Sequence, residues 1–216
     1  MADNMKKTDD KQTIDPKYYE FKQKNFVQRF FGHIGTVCTH KRNVRKACFK
    51  MGLYRQGIFH DMSKFSLTEF VPSVKYYSGT FSPNATARVL TGASTSWLHH
   101  KGRNRHHLEY WTDYTPKQEP YIFGCRMPMK YVAEMVADRY AACVAYHKDQ
   151  YNQADAWNYY EKEKPHLLID PDTQAVLEAA LIKMRDEGEK AAFDFMKCLL
   201  KKTKSNNYDA TIVENL

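Results

Sequence analysis

The sequence predicts an all-α protein, a single-domain helical bundle over residues 16–202. Three observations predict it. Apolar residues recur at spacings of three and four in several windows, the pattern of one buried helix face. Asp15-Pro16 and Asp170-Pro171 each place a capping carboxylate ahead of a proline at the first helical position. No segment alternates at period two as a half-buried strand does. Helices without strands bury their stripes against one another, which makes a bundle.

Residues 1–15 lack the apolar stretch of a signal peptide and read as a flexible, solvated leader. Asp15-Pro16 then opens a helix through Tyr18, Phe21, Phe26 and Phe30 to about Gly32. A second helix is expected from about Gly35 to Gly52, on the stripe Val37, His40, Val44, Ala47, Cys48 and Met51, with Gly52 as its stop. A short helix follows from Tyr54 to Lys64. Ser66 and Glu69 have the spacing of a capping box and open a helix to about Tyr77. Residues 78–93, with their Gly, Ser, Pro and Asn, read as a connecting loop with one helical turn. Trp97 to Trp111 reads as two short helical pieces, and residues 112–126 as an irregular loop. Pro128 opens a strong helix through Tyr131, Val132, Met135, Val136, Ala142 and Val144 to about His147. A long final helix runs from Asp170-Pro171 through Val176, Leu177, Leu181, Met184 and Phe193, and residues 203–216 form a tail.

Composition bounds the function. A chain of 216 residues with 43% hydrophobic content can bury one core. Its mean hydropathy is −0.69, and it has no apolar run near the roughly 20 residues of a membrane span. Cys38, Cys48, Cys125, Cys143 and Cys198 are odd in number and contain no C-x-x-C pair. That argues against a disulfide framework or zinc knuckle and for a reducing, cytoplasmic setting, with the cysteines as small buried hydrophobes. The net charge of +8 favours anionic partners, a phosphorylated small molecule or nucleic acid, or else marks a solvated basic surface. Lys41, Arg42, Arg45, Lys46 and Lys50 read as such a solvated face, as do Tyr159, Tyr160 and the charges from Glu161 to Lys164. Oligomeric state is left open.

The chemistry lies in the histidines. Nine are spread along the chain, but His60-Asp61 is an adjacent pair, and the doublets His99-His100 and His106-His107 lie seven residues apart. Seven residues is about two helical turns, so matching members can share a face. Divalent transition metals take imidazole nitrogen and carboxylate oxygen from several elements, and a shared carboxylate can bridge two ions about 3.5–4 Å apart. Asp138 sits in the otherwise apolar Pro128 helix, one turn after Glu134, and a carboxylate there needs a partner. His40 likewise interrupts the stripe of the second helix. His33, His147 and His166 read as ordinary core or surface histidines. Trp97, Tyr110 and Trp111 read as core or pocket wall, with base stacking as the sharper alternative.

The order His40, His60-Asp61, the two doublets, Asp138 resembles the HD-domain superfamily. HDMSK, from His60 to Lys64, is similar to the HDxxK form of that superfamily's phosphohydrolases. The stretches GLYRQGIFHDMSKFSLTEF, WLHHKGRNRHHLEYW and MPMKYVAEMVADRY resemble a bacterial and phage family of unknown function with an HD-like core, over roughly residues 30–180. The resemblance implies a metal site of His40, His60, Asp61 and Asp138, with Asp61 placed to bridge. A second ion would take one member of each doublet, His100 and His107, leaving His99 and His106 to contact substrate or support the ligands. Lys64 would hold a phosphate or orient Asp61. Lys101, Arg103 and Arg105 would hold an anionic group, and Glu69 would activate water.

These implications lead to a hydrolase that uses one or two divalent ions (Mn, Fe, Co, Zn or Mg). It would cleave a nucleotide or another phosphate ester by attack of a metal-activated hydroxide. The same ligand set can serve a di-iron oxygenase. A third reading is a non-catalytic module in which a structural metal supports binding of a phosphorylated ligand or nucleic acid.

Overall fold

A computed structural model describes residues 14–115, 119, 121–203 and 207–213, and the expected leader lies almost wholly outside them. Among the described residues the fold is mostly helical, with nine α-helices and one two-stranded sheet.

Asp15 does cap a helix, accepting from the Lys17 amide, but the helix is a 3-10 segment, Pro16–Gln23. The chain then restarts. Asn25 and Gln28 form a reciprocal capping box that opens α1, Phe26–Lys50. Thus the two helices expected on either side of Gly32 and Gly35 are one. Gly32 is no terminator: a Cβ there would meet Tyr77 Cε1 at 2.5 Å, so its small size admits a tyrosine ring against α1. That packing offsets the roughly 1 kcal/mol that glycine costs in a helix. Gly52, at φ 83°, ends the turn after α1 as expected.

The next segment is more divided than its pattern suggests. α2 covers only Tyr54–Phe59, a 3-10 turn covers Met62–Phe65, and α3 covers Leu67–Lys75. Ser66 is the N-cap of α3, but its side chain makes no capping bond; the expected box fails because Glu69 is drawn inward to two histidines. The expected loop at 78–93 contains α4, Pro83–Thr91, with proline at its start and Gly92 at its end. α5 is Thr95–Lys101, capped by the Ser94 side chain, and a 3-10 turn covers Leu108–Trp111. The expected irregular loop contains a small antiparallel hairpin. β1 (Thr112–Tyr114) pairs with β2 (Ile122–Gly124), with Asp113 opposite Phe123.

α6, Met129–His147, is the central helix, with every residue from Val132 to Ala137 buried. α1 packs along it, and α2 and α3 lie on α1. α7 is Asp155–Glu163; its Tyr160, expected at the surface, is fully buried and bonds Glu178 at 2.8 Å. The expected final helix is a helical hairpin, α8 (Pro171–Glu187) and α9 (Glu189–Lys202). Gly188, at φ 89° and ψ 170°, turns the chain between them in a region that only glycine occupies readily. The core joins Val44 and Cys48 of α1 to Val132 and Val136 of α6, Leu177 and Leu181 of α8, and Phe193 and Met196 of α9. The expected tail contributes to that core as well: Tyr208 is buried and donates to Met127 O at 2.6 Å. The cysteines are free, with Cys48 buried as expected and Cys38 exposed. No helix among the described residues is long and apolar enough to cross a membrane.

Gly124 presses on the segment entering α8, where a Cβ would stand 2.7 Å from both Asp170 N and Ile169 C. Backbone cannot yield as a side-chain end can. Gly124→Ala is therefore expected to cost about 1–3 kcal/mol in denaturant unfolding, and Gly188→Ala about 1–3 kcal/mol. An alanine accepted at either position without loss would contradict this account of the turns.

Candidate metal centre

α2 stops at Phe59 because the backbone leaves helical space at the next two residues. His60 is extended, and Asp61 is left-handed at φ 52° and ψ 32°. Aspartate is one of the few side chains that tolerate this region. In a continued helix the two side chains would point about 100° apart. The break turns both into one interior, where each is nearly inaccessible. Two lysines hold the turn. Lys41 of α1 donates to the His60 carbonyl, and Lys64 reaches back to Asp61 Oδ2 at 2.6 Å.

Around this turn the ligating atoms fall into two groups that share Asp61. The first joins His40 of α1, His60, Asp61 and Asp138 of α6. His40 Nε2 lies 2.9 Å and His60 Nε2 3.2 Å from Asp138 Oδ1, and His60 Nε2 lies 3.3 Å from Asp61 Oδ2. The second joins Asp61 to His100 of α5 and to His106 and His107 of the following loop. Here His100 Nε2 and His106 Nε2 approach Asp61 Oδ1 at 3.3 and 3.4 Å. Asp61 thus turns one oxygen to each group. A third group, His60, His106 and Glu134, lies behind these two.

Carboxylates also hold the far sides of the imidazoles. Glu134 Oε1 is 2.9 Å from His60 Nδ1 and 3.3 Å from His106 Nδ1. Glu69 Oε2 is 2.7 Å from His100 Nδ1, and its Oε1 is 2.6 Å from His99 Nδ1. Ser63 and Asn104 add contacts at His100 Nδ1. Trp97 stacks on the His100 ring and meets His107 edge-on.

The arrangement fits a cation. Asp61, Asp138, Glu69 and Glu134 are four carboxylates against two ammoniums, Lys64 on Asp61 and Lys41 on the His60 carbonyl. Asp61 Oδ1 and the Nε2 atoms of His106 and His107 are buried without a hydrogen bond. Buried polar atoms are rarely left so, and converging nitrogen and carboxylate donors suit a divalent transition metal. The charges point the same way. Burial opposes ionisation of Asp61, yet His60, Lys64 and His100 hold it well below the usual carboxylate range. Asp138 is likewise held well down against burial by His40 and His60. Burial and Lys64 push His40 down, and burial with neighbouring His106 pushes His107 well down. Burial also opposes the charge of His60, but Asp61, Asp138 and Glu134 outweigh it and raise that imidazole.

All six expected metal ligands, His40, His60, Asp61, His100, His107 and Asp138, converge here. His106, expected at the substrate, lies among them with its Nε2 toward Asp61. His99 instead pairs with Glu69 and accepts from Arg103 Nε at 2.7 Å. Glu69, expected to activate water, has both oxygens taken by imidazoles. Arg105 reaches Tyr131 at 3.3 Å. Lys101, Arg103 and Arg105 all lie off the walls of the cavity that opens from the centre. That cavity is about 540 Å³, with His40, Lys64, His100, His107 and Asp138 at the centre and Tyr77, Phe81, Trp97 and Tyr146 among its walls. Its cations are Lys64 and Arg139, the latter paired with Glu163 at 3.2 Å. His33 is buried on the cavity wall between Phe70 and Tyr77, and burial pushes it down to about 4. His147 pairs with Asp155 at 2.6 Å, and His166 is exposed. Glu134 was legible only as a carboxylate one turn before Asp138; its periodicity marked it as inward, but not its partners.

A family model described as a family of unknown function (DUF5662) matches residues 29–183. The chain belongs to that family. The DUF5662 segment takes in α1 from its second turn through most of α8, and with it every residue of the centre. No curated protein and no solved structure matches the chain.

An ion that binds only the folded state stabilises it, by about 2.7 kcal/mol at a hundredfold excess over Kd. For a chain of this size, roughly 2–4 °C per kcal/mol, Co(II) or Zn(II) is expected to raise the melting temperature of chelator-treated protein by about 5–10 °C. Asp61→Ala should abolish that rise, as followed by calorimetry with elemental analysis of the gel-filtered protein.

Proposed function

We propose that the chain is a metal-dependent hydrolase of the HD type, acting on a phosphate ester. The observation that carries this reading is Asp61, shared between two ligand groups, with its Oδ1 and the Nε2 atoms of His106 and His107 buried without a hydrogen bond. His40, His60, Asp61 and Asp138 would hold one ion, and Asp61 with His100, His106 and His107 a second. Ions bound there supply Lewis acidity and acidify water at neutral pH.

The chain's own groups do the rest. Lys64, partly exposed on the cavity side, offers its ammonium to an anionic oxygen while neutralising Asp61. The aromatic walls, Tyr77, Phe81, Trp97 and Tyr146, exclude water and suit a flat or apolar leaving group. With Arg139 tied to Glu163, one phosphate suits the cavity better than a chain of them. The net charge of +8 supports anionic ligands only in general terms, because Arg42, Arg45, Lys46 and Lys50 are exposed on the outer face of α1.

The scarcity of free cation in the cavity also favours a second reading, a di-iron oxygenase acting on a largely apolar substrate. Imidazole-rich sites suit iron as well as zinc. Metal analysis of protein purified without added metal separates the two: iron with an oxygen-sensitive absorption supports the oxygenase, and Mn, Co, Zn or Mg the hydrolase.

The hydrolase is tested by screening metal-loaded protein against phosphate monoesters, nucleotides and cyclic dinucleotides. Turnover of a monoester is expected. An intact, metal-filled centre with no turnover of any of them would sink the proposal. Lys64→Gln should keep the metal and lower kcat/KM by on the order of 100-fold, the loss of one preorganised charged donor.

A further inference from the structure

We infer that Glu134 is a positioning residue common to both ion subsites, whereas Glu69 positions the second subsite alone. This rests on the metal reading above and extends it to residues outside the ligand set.

The argument starts from imidazole chemistry. A neutral imidazole carries one N–H and one lone pair, and whichever nitrogen donates to a carboxylate leaves the other free to ligate. His60 and His106 both present Nδ1 to the same oxygen, Glu134 Oε1, at 2.9 and 3.3 Å. Each then turns Nε2 toward Asp61. Of the two groups that share Asp61, His60 belongs to the first and His106 to the second, and Glu134 joins the pair from behind. Their ring centroids are 4.4 Å apart with planes 36° from parallel, side by side on one carboxylate. Glu134 is itself buried, one helical turn before the ligand Asp138 on α6. Hence α6 contributes one donor and one support on the same face.

Glu69 differs in its reach. It accepts from His100 Nδ1 at 2.7 Å and from His99 Nδ1 at 2.6 Å. His100 belongs to the second group, and His99 to none. No histidine of the first group touches Glu69 in a bond given by this geometry.

A merely structural ion pair would account for the Nδ1 contacts but not for the opposite edges. His106 Nε2 is buried without a hydrogen bond, and so is the Asp61 Oδ1 it faces at 3.4 Å. An imidazole held on one edge by a carboxylate and left bare on the other is an aimed ligand. Carboxylates behind metal-bound histidines typically contribute 10–100-fold to metal affinity.

Co(II) serves as the probe, titrated into chelator-treated wild type, Glu134→Gln and Glu69→Gln, with heat and visible absorption both recorded. Gln keeps shape and removes charge. Glu134→Gln is expected to weaken both binding steps by 10–100-fold and shift the Co(II) ligand-field bands of both. Glu69→Gln should weaken and shift one step and leave the other at the wild-type value. Equal effects from the two variants, or none, would overturn the inference while leaving the metal reading intact. A wild type that binds neither Co(II) nor Zn(II) would overturn both. Should a variant fail to fold, nitrogen-15 NMR of the Zn(II)-loaded wild type decides. His60, His100 and His106 must show protonated Nδ1 and metal-bound Nε2; the reverse tautomer at His60 or His106 refutes the role of Glu134.

Discussion

The rest of the site depends on the cost of burying Asp61. An isolated carboxylate in a protein interior is so unfavourable that it is neutralised or paired. Here one carboxylate is inaccessible, sits on a left-handed backbone, and has three more carboxylates near it. Lys64 answers one charge. The histidines answer the others only in part, since burial drives His40 and His107 toward their neutral forms. The surrounding elements are arranged around that deficit: α1 and α6 bring His40 and Asp138, α5 and its loop bring the doublets, and Lys41 fixes the carbonyl at the turn. Such a cluster is favourable when positive charge enters it.

Much of this was legible in the sequence, where a residue's own chemistry announced its role. His60-Asp61, His40 in an apolar stripe and Asp138 on a buried helix are polar groups at positions that periodicity marks as inward. The central helix from Pro128 and the stop at Gly52 were legible for the same reason. Less legible were features decided by a partner distant in sequence. Gly32 reads as a helix end until Tyr77 is seen against it. Glu69 reads as half of a capping box until His99 and His100 claim it. Tyr160 reads as surface beside its charged neighbours until Glu178 takes its hydroxyl. The doublets posed a subtler problem, because spacing cannot tell which members ligate. Both His106 and His107 turn inward, since the loop carrying them is not a helix.

The distribution of charge qualifies the first impression of a basic protein. The excess over neutrality resides on outer faces such as that of α1, whereas the cavity carries few cations and those are paired. Long-range attraction of anions and their recognition at the centre are therefore separate matters. Membership of the DUF5662 family places the whole centre within the matched segment.

The division of labour between early and late elements has a consequence for how the protein is made. α1, the His60-Asp61 turn and the doublets are synthesised before α6, which brings Glu134 and Asp138. Until α6 docks, His60 and His106 lack the Glu134 carboxylate behind them, and His40 and His60 lack Asp138. A nascent chain therefore displays imidazoles to any stray ion without a cavity to select among ions. For a metal held by this centre, selection among ions would then wait on closure of the bundle, which couples binding to folding.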